Sequence, residues 1–348
     1  MNRPVRVAHV VVFLGIGAGV LAAPALAADC PEFVGRWPYG GAYTIAVSGS
    51  FAYVTDMLGL RVLDVSTPAA PVEVGFLETQ YQTVNVVVSG GYAYLGISGS
   101  LVVVDVSNPS APVAMGSVQM PSPYVTVGTV SDGYAYVANW FEGLRVIDVS
   151  DPWAPVEVGF INTPYPTRAC DVAVSWPYAY VPDSWDGFRV IDVSNPSAPV
   201  AVGSLQMPGG AGEPLRVELS GIHAYVAAMY GGLRVLDLST PTAPVEAGFL
   251  NDPGGESVDV AISDGYAYVV ESVEYHSGLR VIDVRDPSVP VEVGFAIALD
   301  DPWGVAVSDG YVYATDGQAG LAVYRECSVL FVDGFESGDT SAWSATVP

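Results

Sequence analysis

A unit of about 43 residues recurs along nearly the whole chain, and nothing else in the sequence restricts the fold as much. GLRVLDVSTPAAPVEVGFL starts at Gly59, SLVVVDVSNPSAPVAMGSV at Ser100 and GLRVIDVSDPWAPVEVGFI at Gly143. GFRVIDVSNPSAPVAVGSL starts at Gly187, GLRVLDLSTPTAPVEAGFL at Gly232 and GLRVIDVRDPSVPVEVGFA at Gly278. A worn seventh copy, GLAVYRECS, starts at Gly320, and the steps between starts are 41, 43, 44, 45, 46 and 42 residues. Self-similarity at a fixed period marks a chain of supersecondary units, each of which buries its apolar face only against its neighbours.

Every copy reads as four short strands. The first ends in a serine before a turn, at Ser48, Ser89, Ser131, Ser175, Ser220, Ser263 and Ser308. The second carries A-Y-V or a near variant, the third is LRVIDV, and an S-x-P-x-x-P turn leads into the fourth, VEVGF. Alternating β-branched and aromatic residues bounded by Gly, Pro, Asn and Asp define such strands. The second proline of each turn starts the fourth strand, where its missing N–H is tolerated on a sheet edge. Helical periodicity is absent. Four strands every 43 residues or so predict an all-β, seven-bladed β-propeller.

The unit resembles the LVIVD-repeat family, whose namesake stretch is matched by LRVIDV at Leu144–Val149. The resemblance runs from Cys30 to about Cys327. It implies a propeller fold and says almost nothing about chemistry.

The chain after Gly320 supplies a third strand but no fourth. CPEFVG at Cys30–Gly35 matches APVEVG at Ala70–Gly75, so the N-terminal segment is expected to be the outer strand of blade seven. This hides edges that an open ring would expose. Cys327 falls at the repeat position of Ser66 and Cys30 at that of Ala70, on either side of one short turn, which predicts a Cys30–Cys327 disulfide. Cys170, on an innermost strand, is expected to be a buried inert thiol.

Positions filled in nearly every copy read as architecture. The tyrosines at 53, 94, 136, 180, 225, 268 and 313 should pack between blades. The aspartates at 64, 105, 148, 192, 237 and 283 should bond turn backbone, and the repeated arginines at 61, 145, 189, 234 and 280 should pair with carboxylates on adjacent strands. Candidates for function are the departures. In a propeller the loops between strands two and three, and those between blades, share one face. That face holds Asp56, Trp140, Glu142, Trp185, Asp186 and Tyr230, and further round Glu271, Glu274, Tyr275, His276, Trp303 and Asp316. The starts of the inner strands bring Asn85, Asp171, Arg216 and Asp259 to the mouth of the central channel. Variable aromatic and acidic loops on a rigid scaffold suit the binding of a protein or a glycan.

The charge balance narrows the classes further. There are 12 arginines, no lysine and 37 acids, for a net charge of -25. Nucleic-acid binding rests on phosphate neutralisation, which this balance opposes, and lysine-dependent Schiff-base and P-loop chemistry are excluded. No H-E-x-x-H or G-x-S-x-G motif occurs, and no metal-ligand or cofactor set is assigned. Calcium is the one cofactor the carboxylate-rich loops suit. The alternative to a non-enzymatic binding scaffold is an extracellular hydrolase or lyase using channel-mouth carboxylates, with calcium assisting.

Arg3 and Arg6, the apolar run Val7–Ala23 and the A-L-A at residues 25–27 read as a signal peptide covering 1–27. The propeller then spans 28–327, and 328–348 is a tail whose DGFESGDTSAW resembles a C-terminal motif of exported bacterial proteins. The mature chain, with no membrane span of its own, is expected to be secreted, periplasmic or held at the cell surface.

Overall fold

The computed structural model describes residues 30–163, 168–184, 187–207, 212–252, 255–272, 277–296, 299 and 301–327. The expected signal peptide and tail lie outside them. The described residues form 29 strands and no helix. The strands make seven antiparallel sheets, six with their strands in chain order from the centre outward and the seventh with the N-terminal strand outermost. The inner strands are Ile45–Ser48, Thr83–Ser89, Thr126–Ser131, the split pair Arg168–Ala169 and Ala173–Ser175, Arg216–Ser220, Ser257–Ser263 and Val305–Ser308. Each lies against the inner strand of the next blade, and the seventh returns to the first, so the sheets close into a ring around a channel.

Closure uses the N-terminus, as expected. Glu32–Trp37 pairs antiparallel with Leu321–Arg325, outside Tyr311–Thr315 and Val305–Ser308. The match extends to detail. A bulge between Phe33 and Gly35 repeats the one opposite Val62 and Leu63 in blade one, and Val146 and Ile147 in blade three. Cys30 and Cys327 are disulfide-bonded, with Cα atoms 5.5 Å apart. A cross-link closing so long a loop removes roughly 5 kcal/mol of unfolded-chain entropy in the chain-entropy treatment.

The blades meet through apolar faces. Tyr53 of blade one packs with Val86, Leu95 and Val104 of blade two, and Tyr313 of blade seven with Val54 and Leu63 of blade one. Tyr94, Tyr136, Tyr180 and Tyr225 repeat this on their own neighbours. The Tyr268 hydroxyl accepts from the Cys327 N–H at 2.9 Å, tying blade six to blade seven. Each repeated aspartate accepts from the N–H two residues on, from Ser66 at 2.9 Å to Arg285 at 3.0 Å, which closes the turn locally.

The glycine of VEVGF has a packing role. Gly75, Gly159 and Gly294 sit so close to the next blade's three-to-four turn that a Cβ would overlap the carbonyls of Pro109, Pro196 and Cys30 respectively. Gly35 meets Ala69 in the same way, which carries the contact across the seam. On the outer side, Arg61 bonds Glu73 at 3.1 Å and lies 4.5 Å above the Phe76 ring. Arg145 with Glu157 and Phe160, and Arg234 with Glu246 and Phe249, build the same stack.

Two outcomes follow from this packing. Gly159→Ala should cost about 1–3 kcal/mol in urea unfolding, because the turn opposite is backbone and cannot yield. Cys327→Ser should cost about 2–5 kcal/mol. Under denaturing, non-reducing conditions a thiol titration should find Cys170 alone, the free cysteine of the fold.

Candidate functional site

All seven inner strands line a channel cavity of about 310 Å³. A second cavity, of about 280 Å³, lies at its mouth between Tyr43, Gln82, Arg216 and Trp303. Arg216 and Thr44 line both, so the guanidinium stands at the neck. Arg216 donates to the carbonyls of Cys170 at 3.3 Å and Leu215 at 3.5 Å. Ten arginines lie among the described residues. Nine have a carboxylate within 4.0 Å, and Arg216 has none among the described residues.

The polar residues beside Arg216 are clamps between blades. Asn85 donates to the Val127 carbonyl at 2.6 Å and accepts from its N–H at 2.9 Å. Asp171 accepts from Val172 N–H at 2.8 Å and from Val217 N–H, one blade on, at 3.1 Å. Asp259 does the same with Val260 and Val305, both at 2.9 Å. Blades two, four and six thus hold three, five and seven. Burial is the main influence on both aspartates and pushes their pKa values up, Asp259 to about 6, against the pull of Arg216 and the donated N–H bonds.

Sequence reasoning overlooked Glu218. It projects from the inner strand of blade five, where the other blades have Ala46, Val87, Thr129, Ala173, Ala261 and Ala306. Its side chain is open to the channel, yet protein surrounds it. That enclosure, with Asp259 and Asp171 nearby, lifts its pKa to about 7. The signal was available: it is the one charged side chain at that repeat position.

The loop face divides the remaining candidates. Asp56, Glu271 and Asp316 are buried and hold arginines: Arg61 and Arg36 each at 2.5 Å, and Arg280 at 2.6 Å. Asp56 also caps its own loop through the N–H groups of Leu58 and Gly59, both at 2.7 Å. Burial pushes Glu271 up to about 8 despite Arg280, and Asp252 adds to the effect. Tyr230 and Trp303 are exposed, and Trp140 and Glu142 are half-buried. Glu142 pairs with Arg145 at 3.1 Å. Tyr230 is raised first by its hydrogen bond to Glu256. Trp185, Asp186, Glu274, Tyr275 and His276 lie outside the described residues.

Trp140 organises the most distinctive patch. Its ring stacks on Tyr124 at 3.6 Å, meets Phe141 edge-on at 5.7 Å, and carries the Arg168 guanidinium 5.0 Å above it. Trp140 has φ 51°, and its backbone exchanges hydrogen bonds with Ala169 of blade four at 3.1 and 3.2 Å. A bulky residue in the left-handed region costs about 1–2 kcal/mol, so the surrounding bonds hold the aromatic platform in place. Cys170 is buried, bonded to Ser184 Oγ at 3.0 Å, and burial raises its thiol pKa, as suits an unreactive cysteine. Among the described residues no three His, Cys, Asp or Glu side chains come together as a metal site. No helix among them is long and apolar enough to cross a membrane.

The LVIVD repeat matches residues 39–79, 82–120, 129–163, 166–206, 211–252, 254–296 and 301–323, and the chain belongs to that family. No curated protein matches it. Among solved structures it is similar to the β-propeller domain of Cps50 (Swd1) from Myceliophteria thermophila, with TM-score 0.69, 12% identity, and 85% of this chain and 99% of that one covered. It is similar also to a chain of the Mitotic Checkpoint Complex, with TM-score 0.68, 10% identity, and 91% and 98% covered. A third likeness is to BamB from Moraxella catarrhalis, with TM-score 0.57, 12% identity, and 88% and 92% covered. At such identities these likenesses show the fold alone.

The shifted carboxyls set the pH profile. Asp259, Glu218 and Glu271 hold protons in the folded state up to about 6, 7 and 8. The unfolded chain releases them near pH 4. Stability should therefore fall as pH rises from 5 to 8. The turn aspartates run the other way. Bonds from Ser66, Ser107, Ser150, Ser194 and Ser239 hold Asp64, Asp105, Asp148, Asp192 and Asp237 below the ordinary value, so their contribution is lost on acidification below about pH 4. Thermal unfolding at pH 3, 5 and 8 should give its highest midpoint at 5, and Glu218→Gln should flatten the fall between 5 and 8.

Proposed function

We propose that this protein is an exported, non-enzymatic propeller scaffold that binds a protein or glycan partner through its loop face. The observation that carries the reading is the Trp140–Tyr124–Phe141 platform, held by Arg168 and by backbone bonds to the neighbouring blade. Tyr124 and Phe141 are 49% and 43% exposed, although they pack on a tryptophan whose position costs conformational energy. Rigid aromatics at a surface serve as anchors for a partner or a sugar ring. The Cys30–Cys327 bridge suits an oxidising compartment and supports export. The carboxylates offered for hydrolase or lyase chemistry are engaged elsewhere: Asp171 and Asp259 with backbone N–H groups, Asp56 and Asp316 with arginines. That engagement favours binding over catalysis.

The test is a binding screen of the disulfide-bonded protein against immobilised glycans and envelope proteins, repeated with Trp140→Ala. The expected result is a ligand whose affinity drops tenfold or more in the variant, with the unfolding midpoint little changed. An oligosaccharide turned over by the wild type, bound but not turned over by Asp259→Asn, would instead establish the hydrolase or lyase reading.

A further inference from the structure

Blade two departs from the ring at three linked positions. Where blades one, three and five stack an arginine on a glutamate and a phenylalanine, blade two has Val102, Ala114 and Ser117. Blade four also lacks the glutamate and phenylalanine, having Ala201 and Ser204, but it keeps Arg189 on Asp183. Only in blade two is the place of the whole stack taken by small or apolar side chains on a third strand that still has its fourth-strand partner within the same repeat. A cleft of about 580 Å³ lies there, with Val102 and Ala114 in its wall. It opens on the loop face, because Ile97 pairs directly with Ser100 and leaves only Ser98 and Gly99 to connect strands two and three.

The lining mixes polar side chains with apolar ones and carries no cation. Gln119 Nε2 donates to Ser100 Oγ at 2.6 Å, leaving the amide oxygen and the second N–H of Gln119 for other partners. Glu78 adds acceptors and has no ion pair among the described residues. Tyr81, 62% exposed, forms the rim, its loop held by Thr79 Oγ1 donating to the Tyr81 carbonyl at 2.7 Å.

We propose that this cleft is a binding subsite for a neutral saccharide. Its volume lies within the range of about 300–1,000 Å³ usual for small-ligand sites. Hydroxyl, amide and carboxylate groups that donate and accept match sugar hydroxyls, and the Tyr81 ring offers a face to sugar C–H groups. An anionic ligand would meet Glu78, no counter-charge and a protein of net charge -25. The proposal rests on the loop-face reading for the face used and names a ligand class for it, but its residues are distinct from the Trp140 platform.

The experiment is calorimetric titration with cellohexaose, maltohexaose, xylohexaose and mannohexaose, and with hexagalacturonate as the charged counterpart. Wild type is expected to bind at least one neutral hexasaccharide more tightly than hexagalacturonate. A variant carrying Val102→Arg, Ala114→Glu and Ser117→Phe rebuilds the stack of the other blades and should raise Kd tenfold or more. Tyr81→Ala should raise it about fivefold. If the rebuilt variant does not fold, Ala114→Trp fills the cleft with one change and decides the matter together with Tyr81→Ala. Absence of neutral-sugar binding, a preference for hexagalacturonate, or equal affinity in the filled variant would overturn the proposal. Binding lost only in Trp140→Ala would place the sugar on the aromatic platform, overturning the cleft while sustaining the loop-face reading.

Discussion

The ring depends on how closely one blade can approach the next. The bulge on each outer strand delivers a glycine against the neighbour's turn, and the absence of a side chain lets backbone meet backbone. That approach brings the repeated tyrosine within reach of the facing valines and leucines, and burial of those residues follows from it. No blade has a core of its own. A four-stranded sheet this small leaves both faces apolar, and a closed circuit of such contacts leaves none of them uncovered. The N-terminal strand reproduces both the bulge and the glycine, which is why it substitutes for the missing fourth strand.

Repetition made most of this legible before any coordinates. The tyrosine and aspartate sets, the strand order, the closing segment and the Cys30–Cys327 pair all follow from aligning copies, because a residue repeated at one place meets the same surroundings each time. The single-copy residues behaved differently. Asp56 and Asp316 sit in loops of differing length and Glu271 ends the strand before another such loop, and nothing in such a segment states that the side chain turns inward to an arginine. Asp171 and Asp259 line the channel, and their bonds run to the backbone of the next blade, a partner about one repeat away that no single copy reveals. Glu218 was hidden by its context, since a glutamate before the turn serine reads as an ordinary exposed strand residue.

The acidic composition takes on a structural meaning once the pairs are known. Arginine is scarce, and among the described residues nearly every one is committed to a carboxylate at a blade edge or loop base. Arg216 is the exception, and it lies among Asp171, Asp259 and Glu218, where it offsets charges that burial disfavours. The channel is thus polar and tightly tied, whereas the aromatic surface and the blade-two cleft lie away from it on the loop face. The side chains that clamp neighbouring blades along the channel are different from the exposed aromatics of the loop face.

The pairing of first strand with last has a consequence for how the molecule is made. Glu32 meets Arg325 across 293 residues of chain. In synthesis from the N-terminus, the earliest outer strand must wait, unpartnered, until every other blade exists. The two sulfurs that flank this seam are therefore the last groups in the ring to come together. A Cys30–Cys327 bond made at that point acts as a chemical seal across the seam of the completed ring.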